Sequence, residues 1–111
     1  MITTTTSAIE GKKIVRYLGM VTGEAVIGSN IYEYLFRGLK GIVSGNSNKI
    51  EKKLSRARLE ALKVVRENAA ELGANAVVGI DLDYEALSAG EMMLMVIASG
   101  TAVVVEDGEH K

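Results

Sequence analysis

The sequence contains no cysteine and no tryptophan, and its single histidine, His110, is the last residue but one. Without cysteine the chain has no disulfide, no thiolate ligand for a metal and no thiol nucleophile. The longest apolar run, residues 92–99, has the length of a strand and falls far short of the roughly 18 residues that span a bilayer. A membrane is therefore not expected as a partner.

The composition predicts one folded domain. Apolar residues make up 48% of the 111-residue chain, which is too high a share for a disordered protein, and the length allows one hydrophobic core. We expect a single domain over residues 1–111, with about 107–111 as a flexible tail. Residues 1–6 lack the basic and apolar regions of a secretory signal, and a cysteine-free chain suits a reducing compartment, so we expect a cytoplasmic protein.

Charge is unevenly distributed, although 13 basic and 14 acidic residues leave a net charge of only −1. Residues 49–66 contain seven basic and two acidic residues, whereas residues 81–111 contain seven acidic residues and one basic residue. A basic segment and an acidic segment in one chain let copies of that chain attract each other. The basic segment has no interleaved aromatic residues, so nucleic acid is not expected as a partner.

Apolar residues and glycines predict the first part of the secondary structure. Residues 13–27 are rich in β-branched side chains and contain Gly19 and Gly23. This pattern predicts a long strand or a hairpin, with a bulge or a close backbone approach at the glycines. The apolar spacing predicts a short helix over 31–39, and the composition predicts a loop over 41–48.

A long amphipathic helix is predicted over residues 48–72. Asn48 followed by Glu51 has the spacing of a capping box. Gly73 stands where a glycine that ends a helix is expected. At 100° per residue, apolar side chains gather on one side of this helix and charged side chains on the other.

The apolar side of this helix has two notable features. Ala57 and Ala61 lie at its centre, where small side chains allow a close approach to a sheet. Asn68 interrupts the apolar residues, and a buried amide needs hydrogen-bond partners. We therefore expect Asn68 to be buried and to bond either a neighbouring backbone or another subunit.

Two strands are predicted after the helix, over residues 78–84 and 93–105, with a turn at 88–90. Residues 93–105 are apolar on both faces, and Met93, Met95 and Ile97 share one face. A sheet packed on one helix has only one covered face, so a second copy of the chain is the simplest cover for the other. We expect a homo-oligomer with these three residues and Asn68 at its interface.

Several of these segments resemble the YbjQ-like family, a small group labelled as heavy-metal-binding. The resemblance covers roughly residues 2–106. It rests on residues 72–79 (LGANAVVG) and 83–84, on 95 and 98–103, and on the upstream segments 17–30 and 55–62. It implies an α+β fold with a β-α-β-β core, in which an antiparallel or mixed sheet packs on one long helix. It also implies assembly into a ring-shaped homo-oligomer, a homopentamer.

The metal label has few candidate ligands in this chain, because soft metals prefer thiolate or imidazole. The remaining candidates are Asp81 and Asp83, which share one face of a predicted strand with Glu85. Alternate residues of a strand lie about 6.6 Å apart, so one divalent ion would need carboxylates from several copies around a ring axis. The alternatives are a solvated acidic face or salt bridges between subunits. The methionines of residues 92–95 are expected to fill a core or an interface rather than to bind copper.

A second candidate site lies at the predicted helix N-terminus, where Lys49 and Lys52 follow Gly41 and Gly45. The glycine spacing does not match a phosphate-binding loop, but free N–H groups and the helix dipole attract anions. Lys49 and Lys52 are therefore candidate anion ligands. The sequence has no Ser-His-Asp set, no Cys-His pair and no Gly-x-Ser-x-Gly motif, so catalysis is not expected.

The leading hypothesis is a non-enzymatic, ring-forming protein of the cytoplasm that binds a metal ion at subunit junctions. One alternative is an oligomer that binds a small molecule against the apolar strand face, at a subunit interface. The other is a hydrolase or transferase with a site built across subunits.

Overall fold

The computed structural model describes residues 1–27, 44–88 and 92–108. They form strand β1 (Ile2–Thr3), strand β2 (Lys12–Ile27), helix α1 (Ser44–Glu71), strand β3 (Ala76–Ser88) and strand β4 (Met92–Asp107). The sheet has the order β1-β3-β4-β2, with β1 parallel to β3 and β4 antiparallel to both of its neighbours. The predicted α+β class is confirmed, as a mixed four-stranded sheet with one helix. The helix predicted over 31–39 and the turn residues 89 and 90 lie outside the described residues.

Strand β2 is one strand of 16 residues rather than a hairpin. Gly19 has a φ of 117° and lies at a shift in register against β4, which identifies a β-bulge. Gly23 faces α1, where a Cβ atom would collide with the carbonyl oxygen of Ala61 and lie 2.8 Å from the backbone nitrogen of Val65. The two glycines therefore show the two arrangements that were predicted, a bulge and a close backbone approach.

The main core lies between α1 and the sheet, mostly over β2 and β4. Its fully buried members are alanines and valines: Ala61, Val65, Ala69, Val77, Val96, Ala98 and Ala102. Side chains of this size fit the short distance between helix and sheet, because interiors are packed without room for larger groups. The close approach predicted at Ala57 and Ala61 is confirmed, since both are buried in this core.

Helix α1 begins at Ser44, four residues before Asn48. The predicted capping box is therefore wrong, and so is the predicted loop from residue 44 onward. Serine and asparagine are only mildly unfavourable inside a helix, and Gly45 costs about 1 kcal/mol relative to alanine. Most of a helix's stability in a protein comes from packing of its apolar side, which here outweighs these local preferences.

The C-terminus of α1 has the geometry that Gly73 predicted. This glycine has a φ of 90°, and its N–H donates to the carbonyl oxygen of Ala70 at 3.0 Å. The N–H of Ala74 donates to the carbonyl oxygen of Ala69, also at 3.0 Å. These two bonds form a Schellman motif, which satisfies carbonyl groups that the helix end would otherwise leave free.

Strand β3 contains a bulge between Val78 and Asp81, where it has one residue more than the facing part of β4. Gly79, in the bulge, has a φ of 63° and donates its N–H to the carbonyl oxygen of Thr6 at 2.8 Å. The extra residue reverses the alternation of side chains. Ile80 packs against α1, whereas Val78 belongs to a cluster on the opposite face. Val78 and Ile80 therefore lie on opposite faces, although the regular alternation of the strand predicted over 78–84 would place them on one face.

Asn75 connects the start of β3 with the last third of β4. Its side-chain amide donates to the carbonyl oxygen of Val105 at 2.9 Å, and the Val105 N–H donates to the Asn75 side-chain oxygen at 2.7 Å. The backbone N–H of Asn75 donates to the carbonyl oxygen of Val103 at 3.1 Å. Strand β3 begins only at Ala76. The side chain of Asn75 therefore makes the two hydrogen bonds to Val105 that the backbone of a longer β3 would make.

Part of the predicted flexible tail belongs to the sheet. Asp107 is the last residue of β4, and its carboxylate lies 2.6 Å from the ammonium nitrogen of Lys12. The N–H of Gly108 donates to the carbonyl oxygen of Gly11 at 2.9 Å. Because β2 begins at Lys12, the pairing of β4 with β2 extends to Asp107. Residues 107 and 108 are therefore bonded to residues 12 and 11. Residues 109–111 lie outside the described residues.

Asn68 makes the hydrogen bond to a neighbouring backbone that was predicted for it. Its side-chain amide donates to the carbonyl oxygen of Thr22 in β2 at 2.8 Å. The side chain is half-buried rather than buried. The reason is that β2 is the outermost strand on this side of the sheet.

Candidate functional site

Helix α1 covers one face of the sheet, and the N-terminal part of the chain covers one end of the other face. At that end, a second apolar cluster contains Ile9, Ile14, Ala76, Val78, Val103 and Val105. Ile9 lies between β1 and β2, so the connection between these strands supplies part of the cover. The side chains in the middle of the same face do not belong to this cluster.

The middle of this face is called the open face below. Strand alternation and register place three rows of side chains on it. The rows, written from β3 through β4 to β2, are Asp81–Ser99–Thr22, Asp83–Ile97–Glu24 and Glu85–Met95–Val26. Acidic residues lie on both margins, and apolar residues lie between them.

Apolar side chains of the open face remain accessible in the described chain. Val26 keeps 55% of its surface exposed, and Met20 in an adjacent row keeps 77%. Met95 and Ile97, on the central strand, are half-buried. Covering such a patch is favourable by roughly 25 cal/mol for each Å² removed from water, so the open face has the character of an association surface.

The β3 margin of the open face carries Asp81, Asp83 and Glu85, all exposed. A hydrogen bond shared with the Asp81 carboxyl raises the pKa of Asp83 above its ordinary value of 3.8. The negative charge of Asp81, some desolvation and, least, the charge of Glu85 raise it further. Asp81 and Asp83 therefore repel each other when both are ionised, and a cation bound beside them would relieve this repulsion.

We expect the substitution Asp81→Asn to lower the pKa of Asp83, since it removes the charge that repels the second carboxylate. A pKa raised by folding contributes stability below the unfolded-state value and loses it as the pH rises through the folded-state value. The variant should therefore gain thermal stability relative to the parent at pH 7 and show no gain near pH 3.5. Carboxyl-detected NMR titration and thermal unfolding at both pH values measure these effects.

Asp107 provides the internal control for that titration. Its hydrogen bond to Lys12 and the lysine charge lower the pKa of this carboxyl. The Asp107 titration should not move in the Asp81→Asn variant, because Asp81 pairs with Ser99, eight residues along β4 from Asp107. An unchanged Asp83 titration would show that the two aspartates do not interact.

A complete metal site is not present within one copy of the described chain. Among residues 1–27, 44–88 and 92–108, no group of three His, Cys, Asp or Glu side chains is placed to hold a metal ion. Asp81 and Asp83 offer oxygen ligands only, which do not fit a soft heavy metal but do fit Mg²⁺, Ca²⁺ or Mn²⁺. His110 lies outside the described residues.

Of the other predicted site residues, Met95 and Ile97 lie directly beside this acidic row, opposite Glu85 and Asp83. Met93 shares the side of β4 that carries Met95 and Ile97, whereas Asn68 is on α1, across the sheet from them. Lys49 lies in the second turn of α1 and Lys52 is exposed in the third. The free N–H groups at the start of the helix belong to residues 44–47, so the two lysines follow that end rather than form it.

Two functional features were not predicted from the sequence. One is Glu24, which the register places on the open face, opposite Ile97. The alternation of residues 20–27 indicates which face of the sheet Glu24 occupies. The bulge at Gly19 reverses that alternation for the residues that precede it in β2.

The other is a stripe on the solvent side of α1, called the basic stripe below. It contains Leu59, which keeps 64% of its surface exposed, together with four basic side chains, Lys52, Arg56, Lys63 and Arg66. In the sequence, Leu59 is an apolar residue on the charged side of the predicted helix. This exception to the amphipathic pattern indicates an exposed apolar side chain.

The segment over residues 72–79, LGANAVVG, has a structural explanation throughout. Gly73 ends the helix, Asn75 bonds Val105, and Gly79 forms the bulge in β3. The alanine and valines between them are buried. These residues of the segment therefore have structural roles.

Two comparisons place the chain among known proteins. A family model described as putative heavy-metal-binding matches residues 1–106. A crystal structure from Pediococcus pentosaceus, of a DUF74-family protein with unknown function, is similar with a TM-score of 0.63 and 16% identity. The match covers 96% of this chain and 98% of that one. At this identity the likeness shows the fold.

In the described part of the chain, α1 is too polar to cross a membrane.

Proposed function

Since the chain belongs to the YbjQ-like family, whose model spans residues 1–106, we propose that it binds a divalent cation between copies of itself. The ligands are Asp81 and Asp83, and the observation that carries the proposal is their neighbouring position on the open face, on one side of β3. A cation bound beside them removes the repulsion between the two carboxylates, the same repulsion that raises the pKa of Asp83.

The proposed ion is a hard one. Carboxylate oxygen is the ligand that Ca²⁺, Mg²⁺ and Mn²⁺ prefer, whereas thiolate and thioether select Cu(I) and related soft ions. The chain has no cysteine. The methionines of the open face, Met20 and Met95, lie among apolar side chains, where they contribute contact area.

More than one copy takes part because one pair of carboxylates leaves most of the coordination sphere unfilled. Six to eight oxygen atoms surround Ca²⁺ in proteins. Association through the open face brings a second acidic row to the same ion and covers Val26 and Ile97 at the same time. The proposed assembly is a homo-oligomer, with a five-membered ring as its expected form, and the proposed location is the cytoplasm.

The proposed role is binding rather than catalysis. The described rows of the open face place carboxylates beside methionine and aliphatic side chains, with the hydroxyl groups of Ser99 and Thr22 in the first row. Binding of an organic molecule against Met95 and Ile97 is a second way to cover the same apolar surface, and the experiment below distinguishes it by mass.

We expect calorimetric titration with Mn²⁺ or Ca²⁺ to show fewer than one ion per chain, and native mass spectrometry to show an oligomer that carries the ion. The variant Asp81→Asn/Asp83→Asn should lose binding of the ion. A matched variant, Glu10→Gln/Glu106→Gln, removes the same charge from exposed positions outside the open face and should bind as the parent does.

Three results would contradict the proposal. Tight Zn²⁺ or Cu(I) binding that survives the Asp81/Asp83 substitutions would place the ligands elsewhere. If neither Mn²⁺ nor Ca²⁺ bound at millimolar concentration, binding of a divalent cation would not be the function of the protein. A purified oligomer whose mass includes a bound organic compound and no metal ion would support the small-molecule alternative.

A further inference from the structure

We propose that a groove between α1 and the end of β2 binds the carboxylate of a small aliphatic acid. The groove, called the edge groove below, has a volume of about 390 Å³, which is within the range of small-molecule sites. It lies on the helix side of the sheet, away from the open face and its acidic row. The inference therefore goes beyond the proposed function and does not depend on a metal ion or on association.

The packing of α1 on β2 forms the edge groove. The helix touches the strand at Gly23, which has no side chain, and this contact bounds the groove at one end. Beyond it the groove is lined by Ala25 and Ala57, whose methyl groups are too short to fill it, and by Ile27. Ala57 is buried, and the other two are half-buried against the main core. The floor is therefore apolar and suits an aliphatic body.

Charged side chains of α1 form the rim of the edge groove: Lys53, Arg56 and Glu60. Their charges sum to one positive charge, which complements a monocarboxylate. Arg56 is the main ligand, because a guanidinium binds a carboxylate through two parallel N–H groups. The nearby guanidinium of Arg58 is already bonded to two hydroxyl groups, at 3.0 and 3.2 Å. Glu60 disfavours a second negative charge on the ligand.

The outer edge of β2 adds a backbone donor. The side-chain amide of Asn68 donates to the carbonyl oxygen of Thr22, so the peptide groups of Thr22 point away from β4. Peptide directions alternate along an antiparallel strand, so the N–H groups of Glu24 and Val26 point to the same edge. Val26 lines the groove although its side chain lies on the open face. Its N–H is therefore a second donor for the carboxylate.

A compact ligand fits this edge better than an added strand of peptide. Asn68 covers the edge at Thr22, so the peptide groups of Glu24 and Val26 are the ones that this part of the described strand offers. Strands in proteins commonly have about five or six residues, which need a longer edge. Octanoate, the probe used below, has one carboxylate for the rim and an aliphatic body for the floor, where its burial is favourable.

NMR titration of the isotope-labelled parent with octanoate, in the presence of a chelator, tests the proposal. We expect a dissociation constant of about 1 mM, with amide shifts concentrated at Ala25, Val26 and Ala57. The variant Arg56→Gln should raise this constant about 10-fold, because it removes the charge-assisted bonds. The control Arg16→Gln makes the same substitution at an exposed position near the other end of β2 and should bind as the parent does.

Related probes separate the carboxylate from the aliphatic body. Octanol and octylammonium keep the body without the carboxylate, and octanedioate adds a second carboxylate at the apolar end. Each should bind at least about 10-fold more weakly than octanoate. The variant Ala25→Leu should fill the groove and weaken octanoate binding by a similar factor, while the circular dichroism spectrum of the parent is retained.

Three results would overturn the proposal. Failure of octanoate to bind the parent at about 10 mM is the result expected if another part of the chain, or another copy, fills the groove. Amide shifts at Met95 and Ile97 instead of the groove would place the acid on the open face. Equal binding of octanol and octanoate, or unchanged binding in Arg56→Gln, would leave no role for the carboxylate. Cation binding is measured without octanoate on the other face, so the two proposals fail separately.

Discussion

Substitution of alanine for Gly23 is expected to lower the free energy of unfolding by about 3 kcal/mol. The added Cβ would collide with the carbonyl oxygen of Ala61 and lie 2.8 Å from the backbone nitrogen of Val65. Both are backbone atoms of α1, which cannot rotate away as a side chain can. The helix must therefore move off β2, and this movement loosens the contacts of the main core. Urea-induced unfolding followed by circular dichroism measures the loss.

The matched control for Gly23 is Gly100→Ala, which adds the same methyl group in β4. Its Cβ would lie 2.7 Å from Cγ1 of Val77 and 3.0 Å from Cγ1 of Ile80. These are side-chain atoms that shift more easily, so we expect a smaller loss, about 1–2 kcal/mol. Equal losses at the two glycines, or a loss below about 1 kcal/mol at Gly23, would contradict the close packing of α1 on β2.

The second large effect is expected for Asn75→Ala, which should lower the free energy of unfolding by about 2–3 kcal/mol. The substitution removes both side-chain bonds to Val105 and leaves its N–H and carbonyl groups without these partners. Val105 is buried, so water replaces the lost bonds poorly. The amide of Val105 should also exchange hydrogen faster, because β4 loses its attachment at that point.

Asn68→Ala is the control for Asn75, since it also removes an asparagine that bonds a strand. Asn68 makes one bond, to the carbonyl oxygen of Thr22, from a half-buried position. We expect a loss of about 1 kcal/mol, because water can take the place of this donor. If Asn75→Ala were no more harmful than Asn68→Ala, the paired bonds to Val105 would contribute little.

Much of the fold could be predicted because its elements have strong local signals. The amphipathic pattern predicted α1, Gly73 predicted its end, and the alternation of β4 predicted which of its residues share a face. The start of α1 could not be predicted, because packing rather than capping chemistry determines it. The bulge at Gly79 was also missed, since it depends on Thr4 and Thr6 from a distant part of the chain.

The candidate site was predictable to the extent that one strand contains it. Asp81 and Asp83 were placed on one face by alternation alone, but the rise in the pKa of Asp83 depends on how the two side chains lie in the folded chain. Glu24 reaches the same face from a strand nearly sixty residues away, and only the register of β2 on β4 shows this. The basic stripe was visible as charge, yet the groove that Arg56 borders depends on the packing of α1 on β2.

The position of β4 in the sheet has a consequence for the synthesis of the protein. This strand lies between β3 and β2, and it follows both of them in the chain, so it leaves the ribosome after them. Until residues 92–108 emerge, β2 and β3 have no common neighbour, and α1 lacks the Val96 and Ala98 side of its core. At about 5–20 residues per second, the nascent chain exposes these apolar surfaces for seconds before they can be covered. Shortening the chain within β4 should therefore leave an aggregation-prone product rather than a smaller folded domain.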